Sequence, residues 1–138
     1  MHKAKFCIIT CMDFRFQDKI QKYIKNQGWL GSCDEIIIAG ASRDLVKPLE
    51  PFHKESIIRQ INLSVKLHDP DEIIIIDHQD CGGYAQDQTI LSGLETAKDQ
   101  TEHKIYAKQA YEILKKDYPD KIVSIYYIAF SGEVTKLI

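Results

Sequence analysis

The chain lacks any Lys/Arg-dense stretch and any apolar run long enough to cross a bilayer. Its 138 residues carry a formal net charge of -2, so they present no electrostatic footprint for nucleic acid or an anionic membrane surface. No apolar segment approaches the roughly 20 residues of a spanning helix, and the apolar run near the N-terminus is too short for a signal peptide. We therefore predict a cytoplasmic protein that binds neither nucleic acid nor membrane.

The sequence also lacks any internal repeat, low-complexity tract or linker. Its four cysteines are interpreted as thiols or metal ligands rather than disulfides, because the cytosol keeps thiols reduced. The composition is 44% hydrophobic and 28% charged. Residues 1–138 are accordingly predicted to form one domain around a single core.

Among the features that are present, three continuous apolar runs have the length of β-strands. They are residues 6–9, 36–39 and 73–76. Continuous β-branched hydrophobicity is typical of strands buried on both faces, as in a parallel sheet. The segments between them show helical spacing, over residues 16–25 and 54–67. This alternation predicts an α/β fold.

A third helical region, from about residue 89 to 117, leads into a fourth apolar run over residues 121–130, which bends towards a hairpin at Ser131-Gly132. The element order βαβαβαβ predicts a single domain with a central, mainly parallel sheet of four to five strands flanked by helices. In such sheets, ligands bind beyond the carboxyl ends of the strands.

Thiols, polar side chains and glycines follow three of the predicted strands. After the first come Cys11, Asp13 and Arg15; after the second, Gly40, Ala41, Ser42 and Arg43; after the third, His78, Asp80, Cys81, Gly82 and Gly83. Two thiolates and one imidazole suit zinc, which keeps a fourth position open when it has three protein ligands. Taken alone, Cys11 or Cys81 could be an ordinary core thiol, and His78 could be a hydrogen-bonded loop residue. Because the two segments that carry them follow matching strand ends, the pattern favours a zinc site at Cys11, His78 and Cys81.

Two of these segments resemble motifs of the β-class carbonic anhydrases. The segment Cys11-Met12-Asp13-Phe14-Arg15 is similar to their Cys-x-Asp-x-Arg motif, and His78-Gln79-Asp80-Cys81-Gly82 to their His-x-x-Cys-Gly motif. Ala39-Gly40 resembles the Ala-Gly pair after the family's second strand.

The resemblance implies one zinc ion per chain, held by Cys11, His78 and Cys81, with Asp13 and Arg15 as a catalytic dyad. It also implies hydration of carbon dioxide to bicarbonate by a hydroxide that zinc makes available, and a homodimer or higher homo-oligomer. We assign Gly40 and Ala41 to the substrate side of the site.

Asp13 and Arg15 have two alternative interpretations. The planar fork of an arginine pairs bidentately with a carboxylate, so Arg15 could hold Asp13 where it orients the hydroxide. Asp13 could instead bind the metal itself and fill the fourth position. On a plain surface, the same pair would be an ion pair worth about 0–1 kcal/mol.

The second-strand loop departs from the family, since Ile37-Ile38 replaces Arg-Asn, Ala41 replaces Asn, and Asp77 stands where Gly commonly precedes the histidine. Two alternatives to carbon dioxide hydration therefore stay open. One is a zinc hydrolase of carbonyl sulfide or carbon disulfide, and the other is a zinc-binding protein without turnover.

The remaining candidates are given ordinary structural roles. We interpret Arg43 as a solvated charge, and His103, in a polar helix, as an exposed residue. Cys7 and Cys33 are interpreted as packing thiols.

Overall fold

The protein is described by a computed structural model that covers residues 2–138. Its five strands form one sheet in the order β2-β1-β3-β4-β5. The strands are β1 (Phe6–Cys11), β2 (Cys33–Ile38), β3 (Glu72–His78), β4 (Ile122–Ile128) and β5 (Val134–Lys136). All pairings are parallel except that of β4 with β5, which is antiparallel. The predicted α/β class and the mainly parallel sheet are confirmed.

Helices cover both faces of this sheet. They are α1 (Gln17–Asn26), α2 (Arg43–Val46), α3 (Pro51–His68), α4 (Gly82–Ala85) and α5 (Thr96–Asp117). Alternate residues of one strand supply two cores: Ile74 packs in the cluster with Ile20 of α1, and Ile75 packs in the cluster with Ile61 of α3. Full burial of each isoleucine side chain contributes about 1.5–3 kcal/mol. Burial on both faces therefore explains the continuous apolar runs of β1 and β3. It does not hold for residues 36–39, because β2 is an outer strand and its Ile37 is 48% exposed.

The boundaries of two helices differ from the sequence prediction. Helix α3 begins at Pro51, earlier than predicted, because proline suits the first helical position and Glu50 with His53 forms a capping box before it. Helix α5 begins only at Thr96, so residues 89–95 are a loop that approaches the carboxyl end of the sheet. The hairpin predicted at Ser131-Gly132 is present, since β5 returns antiparallel to β4. Within residues 2–138, no helix combines the length and apolar character that a membrane crossing requires.

Candidate metal centre

The three predicted metal ligands lie together at the carboxyl end of the sheet. Cys11 ends β1, His78 ends β3, and Cys81 lies at the start of α4. Because β1 and β3 are adjacent and parallel, their ends meet although the residues are far apart in sequence. The two sulfur atoms and an imidazole nitrogen lie within 4.8 Å of one another, and all three residues are buried.

The imidazole of His78 is oriented as a ligand. Its Nδ1 is 2.7 Å from the carbonyl oxygen of Gln79, which can only accept a hydrogen bond, so Nδ1 carries the proton. The other nitrogen, Nε2, is fully buried and has no hydrogen-bond partner. A buried polar atom without a partner is destabilising by about 1–3 kcal/mol, and a metal ion would satisfy it. The donor set and the fixed tautomer therefore fit zinc.

The two cysteines share one hydrogen bond, which favours the thiolate of Cys11 and the thiol of Cys81. A hydrogen bond from the Cys81 thiol lowers the pKa of Cys11 below its usual range, and the N–H of Gly40 donates to Cys11 Sγ at 3.3 Å. The same contact raises the pKa of Cys81, because its proton is held between the two sulfurs. A divalent cation at this point would stabilise both thiolates.

Two glycines bring the surrounding backbone into close contact. A Cβ atom on Gly83 would lie 2.7 Å from the Cα and 3.0 Å from the nitrogen of Gly40. Gly40 has a φ of 81°, and a Cβ there would lie 2.7 Å from Cβ of Arg43. Only glycine fits both positions, so the contact between the second-strand loop and α4 directs the Gly40 N–H at Cys11.

Asp13 and Arg15 form a multiply bonded pair. The Arg15 Nε lies 3.0 Å from Asp13 Oδ1, and its Nη2 lies 2.7 Å from Oδ2. These hydrogen bonds hold the pKa of the Asp13 carboxyl below its usual range. Asp13 Oδ2 lies 3.8 Å from Nε2 of His78, although Asp13 is outside the three-residue donor group. The carboxylate thus lies beside the metal position rather than within the donor cluster.

A pocket of about 530 Å³ opens over this centre. It is lined by Cys11, Met12, Asp13, Phe14, Arg15, Ala39, Gly40, Gly82 and Gly83. Phe14 lies at its rim with 86% of its surface exposed. Of the two residues assigned to substrate, Gly40 lines the pocket, whereas Ala41 is fully buried and does not.

Two further residues beside the centre, Asp77 and Asp80, have contacts that the sequence did not reveal. Asp77, before His78, has both carboxylate oxygens 2.8 Å from the Ser42 hydroxyl, which donates its one proton to this carboxylate, and burial raises the pKa of Asp77 to about 6. Asp80 contacts Arg15 at 3.1 Å. An aspartate directly before Cys81 was the only local signal for the latter contact.

Two sequence interpretations were wrong. Arg43 is 1% exposed and pairs with Asp87 at 2.5 Å, so it is not a solvated charge. His103 is fully buried, because α5 presents a stripe of inward residues at helical spacing. The many polar residues of α5 made the helix look exposed from its composition, so the inward stripe was not predicted.

Comparisons with known proteins agree with this geometry. A family model described as "Putative carbonic anhydrase" matches residues 1–138. An uncharacterized protein of Rickettsia conorii is 27% identical over 141 residues, which cover 99% of this chain and 74% of that protein. An uncharacterized protein of Rickettsia bellii is 28% identical over 138 residues, covering 99% and 84%.

Solved structures show the same fold. A tetrameric β-carbonic anhydrase of Sordaria macrospora aligns with a TM-score of 0.66 at 11% identity, covering 99% of this chain and 82% of that one. The β-carbonic anhydrase CafA of Aspergillus fumigatus aligns with a TM-score of 0.64 at 15% identity, covering 98% and 76%.

Proposed function

The chain belongs to the carbonic anhydrase family whose model matches all of its residues, and we propose that it is a cytoplasmic, single-domain zinc lyase that hydrates carbon dioxide to bicarbonate. One observation carries most of this proposal. The buried Nε2 of His78 has no hydrogen-bond partner and faces the sulfurs of Cys11 and Cys81. Cys11, His78 and Cys81 would hold one zinc ion per chain.

Zinc, when bound, supplies the Lewis acidity that brings the pKa of a water molecule towards neutrality. Side chains of the protein would orient the reacting groups. Asp13 would accept a hydrogen bond from the nucleophile, and Arg15 would keep that carboxylate beside the metal position through bonds of 2.7 to 3.1 Å. Gly40, which lines the pocket, and Ala41 are the proposed substrate-side residues.

A second candidate is a zinc-binding protein without turnover. It is favoured by the 3.8 Å distance between Asp13 Oδ2 and His78 Nε2, from which a small movement would bring the carboxylate onto the metal. A third candidate keeps the chemistry and changes the substrate to carbonyl sulfide or carbon disulfide. It is favoured by the apolar Met12 and Phe14 at the pocket, which suit any small apolar electrophile.

We further propose a homodimer or a higher homo-oligomer. Strand β2 is an outer strand of the sheet, and its Ile37 is 48% exposed. Outer strands with apolar side chains are usually covered by another chain or element. The Sordaria macrospora relative is described as tetrameric. Light scattering that finds a monomer at high concentration would contradict this assembly.

The deciding experiment combines metal analysis with stopped-flow carbon dioxide hydration across pH. One zinc per chain with turnover supports the lyase. Zinc without turnover on carbon dioxide, carbonyl sulfide or carbon disulfide supports the binding protein. Absence of metal from protein prepared without chelators would contradict the zinc site and all three candidates.

A further inference from the structure

We propose that Asp80 is a positioning residue that fixes Arg15 in the orientation from which it holds Asp13 beside the metal; this rests on the proposed zinc site. The Arg15 guanidinium is held on two sides. Its Nε and Nη2 donate to the Asp13 carboxylate, while Nη1 donates to Asp80 Oδ2 at 3.1 Å and Nη2 to the Asp80 carbonyl oxygen at 3.0 Å. Asp80 thus accepts a hydrogen bond from Arg15 Nη1, the guanidinium nitrogen that does not bond to Asp13.

Asp80 is itself anchored from three directions. Its Oδ1 accepts hydrogen bonds from the Ser92 hydroxyl at 2.8 Å and from the Gly93 N–H at 3.0 Å. Its own N–H donates to Oδ1 of the buried Asp99 at 3.3 Å. The carboxylate of Asp80 is therefore a fixed point, and the loop before α5 is part of its support.

Arg15 needs such a fixed point, because its side chain is 35% exposed and an arginine loses much rotamer freedom when it is held. With Asp13 alone, the arginine and the carboxylate could move together towards the metal position. The Phe130 ring, 5.2 Å from the guanidinium carbon, limits movement on one side. Asp80 limits the movement of the guanidinium on another side, so the Asp13–Arg15 pair keeps its position relative to His78.

A purely structural role for Asp80 makes a different prediction. Asp80 has a φ of 55°, in the left-handed region that aspartate and asparagine tolerate best among non-glycine residues. Asp80→Asn therefore keeps the turn before Cys81 and removes mainly the charge that faces Arg15. If Asp80 only shaped the turn, this substitution would leave Asp13 where it is.

The test uses cobalt(II) in place of zinc and records the visible absorption spectrum of the full chain, which responds to the ligands of the metal. The variants are Asp80→Asn, Asp13→Asn and the double variant. We expect Asp80→Asn to change the cobalt spectrum, and we expect no such change when Asp13→Asn is already present. This non-additivity separates action through Asp13 from a direct effect on Cys81. An unchanged spectrum, or an equal change in both backgrounds, would overturn the proposal.

Release of zinc to a chelator gives a second readout with a definite sign. A freed Asp13 adds a ligand, so Asp80→Asn should release zinc no faster than the unaltered protein. Damage to the Cys81 turn would make release faster, and that result would also count against the proposal.

The supporting loop provides a matched pair of variants. Ser92→Ala removes the hydroxyl that holds Asp80, whereas Thr89→Val removes a hydroxyl that holds Asp87 at 2.8 Å in the same loop. Only Ser92→Ala should change the cobalt spectrum, in the direction of Asp80→Asn; a change with Thr89→Val alone would overturn the proposal. If the unaltered protein binds no metal, the proposed function fails together with this inference. If metal binds and the spectra do not respond, only the role of Asp80 fails.

Discussion

The two ends of the parallel sheet carry similar residue types and differ in how their hydrogen bonds are satisfied. At the amino end, Asp34 accepts from the Ser64 hydroxyl at 2.6 Å and contacts Nδ1 of His68 at 2.8 Å. The serine bonds the aspartate rather than the histidine, so this Ser-His-Asp set is not arranged as a catalytic triad. Each of these three groups has a partner within the cluster.

The carboxyl end contrasts with this arrangement. In the part of the chain that the structure describes, the buried side-chain nitrogens and oxygens without a hydrogen-bond partner belong to Arg43, His78 and His103. Two of these residues, Arg43 and His78, follow or end a strand at this edge. Native proteins pair most buried polar groups, so unpaired ones need an explanation. Residue types alone therefore indicate a candidate site at either end of the sheet. Buried polar atoms without hydrogen-bond partners distinguish the carboxyl end from the amino end.

The largest expected effect on this comparison is the loss of the proposed zinc binding. Cys11→Ser, His78→Ala or Cys81→Ser should each weaken zinc binding by more than about 100-fold, since even changes beyond the direct ligands lower affinity by roughly 10–100-fold. His68→Ala, at the amino end, is the control and should keep one zinc per chain. Chelator competition and metal analysis measure this. A variant that retains full zinc affinity would remove its residue from the ligand set.

A smaller effect is expected at Arg15, the arginine beside the proposed metal position. Arg15→Ala should leave zinc content unchanged and lower kcat/KM for carbon dioxide hydration by about 100-fold, the lower end of what positioned acid–base groups contribute. The amino-end control is Lys121→Ala, which removes a lysine that pairs with Asp69 at 2.5 Å and should affect stability only. Native hydration rates for Arg15→Ala at every pH would show that Arg15 is an ordinary surface charge.

The close contact between Gly83 and Gly40 should be sensitive to one added methyl group. Gly83→Ala should destabilise the protein by about 1–3 kcal/mol, as overpacking does, because the new Cβ would lie 2.7 Å from the Gly40 backbone. Gly82→Ala is the matched control, since nothing lies within 4 Å of its Cβ. Urea unfolding compares the two. Equal free energies of unfolding for the two variants would mean that the loop at Gly40 moves away from the new methyl group without loss of stability.

The smallest predicted effect concerns pH and the buried His103. Burial, and to a smaller extent the charge of His78, lower the pKa of His103 to about 3; the groups in contact with its ring are Asp99, Tyr84 and Tyr127. The unfolded chain binds a proton near its ordinary value of about 6.5 and the folded chain does not, so stability should fall as pH drops from 6.5 towards 3. The contribution is at most about 1.4 kcal/mol per pH unit.

His103→Phe keeps the aromatic packing and removes this titration. Unfolding in urea at pH 6.5, 5.5 and 5.0 should therefore show a shallower loss of stability for the variant than for the unaltered chain. Parallel pH profiles would mean that His103 does not titrate differently in the folded and unfolded states.

Much of the fold was predictable because its signals are local. The run Ile73–Ile76 is buried on both faces, as its four consecutive apolar β-branched residues predict. The run at residues 36–39 gives the same local signal, but β2 is an outer strand and its Ile37 is 48% exposed. The grouping of the three candidate donors was predictable for a similar reason, since thiol and imidazole groups directly after strands have a recognised chemistry. The boundaries of α3 and α5 were less accurate, because capping and loop packing shift a helix by several residues.

The sequence by itself determined the parallel α/β class, the approximate strand positions and the candidate donor set of Cys11, His78 and Cys81. Only the tertiary structure decided that Arg43 and His103 are buried, that Gly40 touches Gly83, and that Asp80 holds Arg15. The Arg15–Asp80 contact joins residues separated by 65 positions. Hydrophobic period and ligand type are properties of a short segment, whereas burial of a polar group and the approach of two backbones depend on distant segments that meet only in the folded chain.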